Sequence, residues 1–363
     1  MNAKISLIKG DGIGVDVSDA ALYLAQMAVA KVGMAPLHIQ EIQAGAAYYA
    51  ETGMDIEAGG DKRAGQANAI FLGAIGLPDI RHQDGTEISP HLRLRDRYQL
   101  YAGVRPVKAY PHTPRALADE RASKIDFVII RESTEGLFYS AAVHSRSTVI
   151  DNSYCDETLR ITRNTTEKLH EFAFRLAAKR KNRGHPGHVT CVDKANVFTA
   201  MAFFRQIFDE TAKRHSDIKI AHNYVDAMAL DLIRQPWRAD VLVMENMFGD
   251  ILSDLGGGLV GGMGMAACAE IGDQIGLFQP AHGSAPDIMG QDKANPLAAI
   301  LSAALMLDYL GETLDQPEYC DAAMILDAAI EAGFASKQLR PAEFGGDMGT
   351  RAITNRLAEI LQA

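Results

Sequence analysis

Short apolar runs recur along the chain and alternate with longer stretches in which apolar residues return every three or four positions. Residues 4–9 read as a strand, and 69–73, 127–131, 189–192 and 240–244 are short apolar runs. Runs of that length without polar alternation predict strands buried on both faces. Residues 15–30 read as a helix, and in 169–177 Leu169, Phe172, Ala173, Leu176 and Ala177 recur at helical spacing. Such alternation predicts an α/β fold with a largely parallel sheet. There are no repeats, low-complexity tracts or Pro/Ser-rich linkers. The length of 363 residues predicts two domains. No break in composition marks their boundary, so a discontinuous arrangement stays open.

Composition narrows the function classes. With 47% hydrophobic and 23% charged residues the chain can build a large core, which excludes disordered, collagenous and coiled-coil classes. A net charge of -10 argues against nucleic acid or an anionic membrane as partner, though a local arginine cluster can still bind small anions. Cys155, Cys191, Cys268 and Cys320 are scattered without a CxxC pair, which fits reduced thiols in a cytoplasmic protein. The start, MNAKISLIKGDGIG, lacks the apolar region of a signal peptide. The longest apolar run, 297–307, is interrupted by Ser302 and is too short to span a bilayer.

Five segments could carry chemistry. Gly10-Asp11-Gly12-Ile13-Gly14 follows a strand and opens a helix. It is either a tight turn or a cradle of free amides for an anion, and its glycine spacing is not the dinucleotide fingerprint. The run from Gly256 to Gly264 lacks the ending of a P-loop, and helix breaking with close packing explains it. A basic series, Arg93, Arg95 and Arg97, then Arg105, then Arg131, could grip a substrate with two or three carboxylates. Surface ion pairs fit Arg93 and Arg97 better, whereas Arg131 ends an apolar strand, where such sheets bind ligands. On the segment 246–255, Phe248, Ile251, Leu252 and Leu255 form one helical stripe, with Asp250 and Asp254 on the other face. That pair is either a wet helix face or two ligands for a hard divalent ion, Mg²⁺ or Mn²⁺. Asp226 is a third candidate carboxylate. Lys194, in VDKANVF after a strand, is either a snorkelling lysine or a general base. The loop His282-Gly283-Ser284-Ala285-Pro286-Asp287-Ile288, with Asn295 beyond it, could hold an adenosine.

In this order, GDGIG, LRxRxxLYAGVRPVK, RESTEG, VDKANVF, NMFGDILSD and HGSAPDI…ANP resemble the β-decarboxylating dehydrogenases of the isocitrate and 3-isopropylmalate type. The likeness runs from Gly10 to Gly346, nearly the whole chain. It implies a two-domain α/β fold without a true Rossmann domain. Residues 1–101 plus 264–363 would form the larger domain with the cofactor loop, and 102–263 the central domain with the dimer contacts and metal site. It also implies a homodimer with shared active sites, acting on a small di- or tricarboxylate. By the same resemblance Arg95, Arg105 and Arg131 would hold the malate carboxylates. Asp250 and Asp254 would bind Mg²⁺ or Mn²⁺, joined by Asp226 of the second subunit. Lys194 of that subunit would act as base. Ile13, Asn196, residues 282–288 and Asn295 would bind the coenzyme, which Asp287-Ile288 makes NAD rather than NADP. The implied reaction is oxidation at C2 followed by loss of CO₂.

Two positions depart from the family's pattern. The tyrosine usual seven residues after the arginine of RESTEG is Phe138 here, with Tyr139 adjacent as the candidate catalytic replacement. Side chains of neighbours in an extended segment face opposite ways, so Tyr139 needs a local bulge to reach the same place. In the stretch before Arg95, where isopropylmalate enzymes carry leucines, His91 takes a leucine's place. A polar group in an apolar pocket is costly unless paired, which favours polar-substituted malates over 3-isopropylmalate. Isocitrate, tartrate or D-malate, and homoisocitrate remain alternatives, as do a non-catalytic regulatory subunit and a Mg²⁺-dependent hydrolase.

Overall fold

The computed structural model describes residues 2–139, 148–150 (backbone only) and 152–363. Its order is β1 Lys4–Gly10, α1 Gly14–Lys31, β2 His38–Glu41, α2 Ala46–Thr52, α3 Gly60–Ala64, β3 Ala69–Ala74, α4 Pro90–Arg97, β4 Ala102–Lys108 and β5 Asp126–Glu132. There follow β6 Thr148–Ile150, β7 Tyr154–Asp156, α5 Arg163–Asn182, β8 His188–Asp193, α6 Thr199–Ala212, β9 Lys219–Tyr224, α7 Val225–Arg234, β10 Val241–Met244 and α8 Asn246–Leu259. The chain closes with β11 Ala267–Ile271, β12 Gly276–Pro280, α9 Leu297–Thr313, α10 Pro317–Ala335 and α11 Thr350–Gln362. The strands expected from apolar runs are all present, and the helix expected at 15–30 is α1.

One sheet runs β2-β1-β3-β12-β11-β4-β5-β10-β8-β9, while β6 and β7 pair apart from it. Its flanks are parallel, as expected of short runs covered by helices on both faces. Its centre is not: β12–β11, β11–β4 and β4–β5 are antiparallel, so the sheet is mixed. Six of its nine pairings are thus parallel, as expected of a largely parallel sheet, and the three antiparallel ones fall together at the place that matters most for the site.

Helix α9 fills the core between the sheet, α1 and α10, burying Leu297, Ile300, Met306, Leu307 and Leu310 completely. Each such side chain contributes about 1.5–3 kcal/mol relative to exposure. This is the longest apolar run, used as a core helix, and among the described residues no helix is long and apolar enough to cross a membrane. The glycines at 256–258 do not break α8. Its buried side is made of Gly249, Leu252, Ser253, Gly256, Gly257 and Leu259, so the helix lies close to the strands. A methyl on Gly256 would stand 2.7 Å from Val107 Cγ2. Ile251, expected on the buried stripe, is instead 61% exposed, because these small residues take its place against the sheet.

Candidate active site

Antiparallel register assembles the first cluster. Glu270 of β11 lies opposite Gly103 of β4, which lies opposite Arg131 of β5. Directly opposed residues share a face of the sheet, and the missing side chain at Gly103 leaves room between the acid and the guanidinium. A Cβ there would stand 2.6 Å from Ser133 Oγ and 3.0 Å from Glu270 Oε2. Arg105, two residues along β4, adds its guanidinium from the same face, and Arg95 reaches in from α4. Glu270 Oε1 accepts from Arg95 Nη2 at 2.9 Å and Arg105 Nη2 at 3.1 Å. All three arginines are at least nine-tenths buried and Glu270 is wholly buried. Burial alone would push the Glu270 carboxyl up, but Arg95, Arg105 and Arg131 outweigh it and hold the acid ionised below the usual carboxylate range. Arg93 and Arg97, by contrast, make surface pairs with Asp55 (2.8 Å) and Asp61 (2.7 Å).

Helix α8 brings the acidic pair to the same place. Arg131 donates through Nε (2.9 Å) and Nη2 (2.7 Å) to Asn246 Oδ1, and pairs through Nη1 with Asp250. Glu245 caps the helix by accepting from Met247 N at 3.1 Å. Asp254, one turn beyond Asp250, has its pKa raised by burial first and by Asp250 next, against Arg105 and Arg131. Two like charges one turn apart, both reachable from solvent, fit a hard cation with oxygen ligands.

Lys194 and Asp226 form a second group. Asp193, fully buried, accepts from Ala195 N at 2.8 Å and from Arg205 Nε at 2.7 Å, fixing the turn after β8. Lys194 Nζ then donates to Asp226 Oδ1 at 2.6 Å. Among the described residues no hydrogen bond or ion pair joins Lys194 or Asp226 to Asp250 or Asp254, and no three acids, histidines or cysteines gather as a metal site. Asn196 is exposed on the same turn.

The third group is the loop expected from sequence to hold a coenzyme. GDGIG is a structural turn rather than an open anion cradle. The amides of Asp11, Ile13 and Gly14 donate to Ala74 O, Ser284 O and Asp11 O. Gly12 has φ +57°, and a Cβ there would collide with the Ser284 carbonyl. The Asp11 carboxylate accepts from Ala46 N, Ala47 N and Gly76 N at 2.8, 2.9 and 2.7 Å, tying three segments together. Ile13 is therefore a buried anchor for the loop. Among the described residues the buried Nε2 of His282 has no partner, and burial lowers its pKa. Ala285, Pro286 and Asp287 are exposed, and Asn295 caps α9 through Leu297 N (3.2 Å) while donating to Glu343 (2.8 Å). An orphaned imidazole nitrogen beside exposed backbone and a free carboxylate fits a nucleotide ligand.

Gly136, at φ +71°, bridges to Arg160, and Leu137 and Phe138 then turn, so this is not the extended segment assumed from sequence. The Phe138 ring lies 5.1 Å from the Arg131 guanidinium, whereas the Tyr139 ring lies 3.9 Å from that of Arg160. The structure thus sets the Phe138 ring against Arg131 and the Tyr139 ring against Arg160. Sequence reasoning missed Glu270 and Asn246. A lone acid inside the apolar strand Ala-Cys-Ala-Glu-Ile was the available signal, since buried acids are rarely unpaired.

The family model for isocitrate/isopropylmalate dehydrogenase matches residues 4–360. A 3-isopropylmalate/3-methylmalate dehydrogenase of Methanocaldococcus jannaschii is 38% identical over 357 residues, covering 98% of each chain. A 3-isopropylmalate dehydrogenase of Heyndrickxia coagulans is 37% identical, with 99% of this chain and 97% of the relative covered. Among solved structures, isocitrate dehydrogenase from Methylococcus capsulatus superposes with a TM-score of 0.83 at 31% identity, both chains covered in full. A β-decarboxylating dehydrogenase from Thermococcus kodakarensis gives 0.79 at 32%, covering 100% of this chain and 96% of that one. With this fold, these clusters and full-length similarity, the chain belongs to the isocitrate/isopropylmalate dehydrogenase family and is a β-decarboxylating dehydrogenase.

Proposed function

We propose that the protein catalyses NAD-dependent, divalent-metal-dependent oxidative decarboxylation of a malate-type 2-hydroxy acid. The observation that carries this reading is the burial of Arg95, Arg105 and Arg131 beside the Asp250–Asp254 pair. Three buried guanidiniums on one side match a dicarboxylate. Asp250 and Asp254, with Asp226 of a second copy, would hold Mg²⁺ or Mn²⁺, whose chemistry is Lewis-acid polarisation of the C2 oxygen. Arg95, Arg105 and Arg131 would orient the carboxylates so that C2 faces the coenzyme and the bond to the departing carboxylate is aligned for cleavage. Lys194, held by Asp226, would take the C2 hydroxyl proton. Residues 282–288 with Ile13 and Asn295 would seat NAD, Asp287 accepting from the ribose hydroxyls and repelling a 2′-phosphate. Asn196 would meet the coenzyme from the other subunit.

Supporting the homodimer, Val197 and Phe198 beside Lys194, Leu230 and Ile233 on α7, and Ile251 on α8 are exposed apolar residues around the edge strand β9. A dimer across that face would bring one copy's Lys194 and Asp226 toward the other's Asp250. The proposed division is 1–101 plus 264–363 against 102–263, which places β1–β3, β11 and β12 in one domain and β4, β5 and β8–β10 in the other. The unpaired cysteines support a cytoplasmic setting. The test is NADH formation and CO₂ release by EDTA-stripped, Mn²⁺-reloaded protein with 3-isopropylmalate, isocitrate, D-malate, tartrate and homoisocitrate. Silence from all five, or a rate indifferent to metal, would overturn the reading.

A further inference from the structure

The buried cluster around Glu270 is not internally satisfied. Its Oε1 is occupied by Arg95, Arg105 and the Cys268 thiol at 3.6 Å, whereas among the described residues Oε2 has only the Ser133 hydroxyl close by and no well-formed hydrogen bond. Nε of Arg95, Nε of Arg105 and Nδ1 of His91 are also buried without partners among the described residues. His91 precedes Arg95 by one turn on α4, so the two share a helix face. Arg95 and Glu270 are the charged groups that act on its ring, which burial keeps neutral. Buried polar atoms are almost always paired. Four orphans in one place describe the ligand that completes them.

The requirement is specific. The two Nε–H groups need acceptors, which a carboxylate supplies. Glu270 Oε2 needs a donor, and the neutral imidazole Nδ1 takes either role according to its tautomer. With the C2 hydroxyl left to the metal, a second hydroxyl on C3, beside the C4 carboxylate, would meet all of these at once. A branched alkyl group would leave Oε2 and Nδ1 desolvated and unpaired. A third carboxylate would face Glu270, which already cancels one guanidinium charge from within.

Resting on the proposed function above, we propose that Glu270 and His91 form a polar pocket selecting a malate-type dicarboxylate whose C3 carries a hydroxyl, a 2,3-dihydroxy dicarboxylate.

The experiment compares the stereoisomers of 2,3-dihydroxybutanedioate with 3-isopropylmalate and isocitrate in two readouts. One is the thermal shift of the Mn²⁺-loaded protein with each acid and no NAD. The other is kcat/KM for NADH formation. We expect the dihydroxy acid to lead in both, by about 10- to 100-fold in kcat/KM, the range for leaving a buried polar group unmatched. His91→Leu should move preference toward 3-isopropylmalate, and Glu270→Gln, which keeps shape but removes the negative charge, should improve isocitrate binding. A wild-type lead for 3-isopropylmalate or isocitrate overturns the proposal, as does a ranking unmoved by both substitutions. Binding without NADH formation would sink the proposed function while leaving the pocket assignment standing. Turnover with the wrong ranking would do the reverse.

Discussion

Gly249 is where helix α8 touches strand β5, and adding a methyl there separates activity from stability. An alanine Cβ would stand 2.6 Å from both Cβ and Cγ of Arg131 and 3.0 Å from its Cα. Carbon atoms settle at about 3.5–4.0 Å, so the helix or the arginine must give by roughly 1 Å. Asn246 and Asp250, which hold the Arg131 guanidinium, ride on that same helix, so its recoil carries both partners away. Two stability terms oppose each other. Alanine is favoured over glycine in a helix by about 1 kcal/mol, and overpacking costs about 1–3 kcal/mol. The net loss is about 0–2 kcal/mol, worth at most a few degrees of Tm in a chain this long. A misplacement of about 1 Å at a reacting centre can cost about 10²-fold in rate. Gly249→Ala should therefore melt close to wild type in calorimetry while kcat/KM for NADH formation falls by about two orders of magnitude. Gly258→Ala is the control, since nothing lies within 4 Å of its new Cβ on the same helix. It should keep full activity. Unchanged kcat/KM in Gly249→Ala would refute the role given to the α8–β5 contact.

Three further outcomes are expected. His170 is wholly buried with neither ring nitrogen paired among the described residues, and burial pushes its pKa down to about 3 from 6.5. The unfolded chain takes up a proton that the native protein refuses, so stability falls as pH drops below 6.5, by about 1.4 kcal/mol at pH 5.5. His170→Leu should flatten that slope in denaturant titrations across pH 5–7, and an identical slope would remove His170 as its source. Converting Asp287 to Lys together with Ile288 to Tyr should raise NADP⁺ use relative to NAD⁺; an unmoved ratio would defeat the coenzyme assignment. Phe138→Tyr places a hydroxyl beside Arg131 and should raise CO₂ released per NADH formed, whereas an unaltered ratio would show that the final protonation does not pass through this position.

Strands buried on both faces announce themselves as apolar runs, which is why β1, β3, β5, β8 and β10 were legible. Strands β4 and β11 were not. Each carries a charged residue, Arg105 or Glu270, at the point where the pattern should have been apolar. The residues that make the site are the ones that hide its strands. The glycines of α8 misled differently: composition alone reads them as breakers, but at Gly249 and Gly256 a helix pressed onto Arg131 and Val107 has no room for larger residues. The arginines, Asp250 and Asp254 were legible as candidates because their spacing sets local geometry. Their meeting with a glutamate 165 positions away along the chain from Arg105 was not, because register between distant strands leaves no mark on spacing.

The antiparallel centre of the sheet is what builds the pocket. In a parallel sheet every strand delivers its carboxyl end to one edge, and a ligand binds beyond it. Here β4 and β11 reverse direction, and a row of opposed residues, Glu270, Gly103 and Arg131, crosses strands from distant parts of the chain. The acid comes from the C-terminal third, the guanidinium from the middle, and the gap between them from a glycine near residue 100. Neither half of the sheet holds the cluster alone. A dicarboxylate that bridges these arginines therefore binds across the junction of β4 and β11, and by mass action it stabilises that junction along with the fold. In the proposed reaction, substrate binding and cohesion of the central strands would draw on the same buried charges. That coupling gives the fully buried glutamate a role at the proposed anion site: it holds Arg95 and Arg105 together when no substrate does.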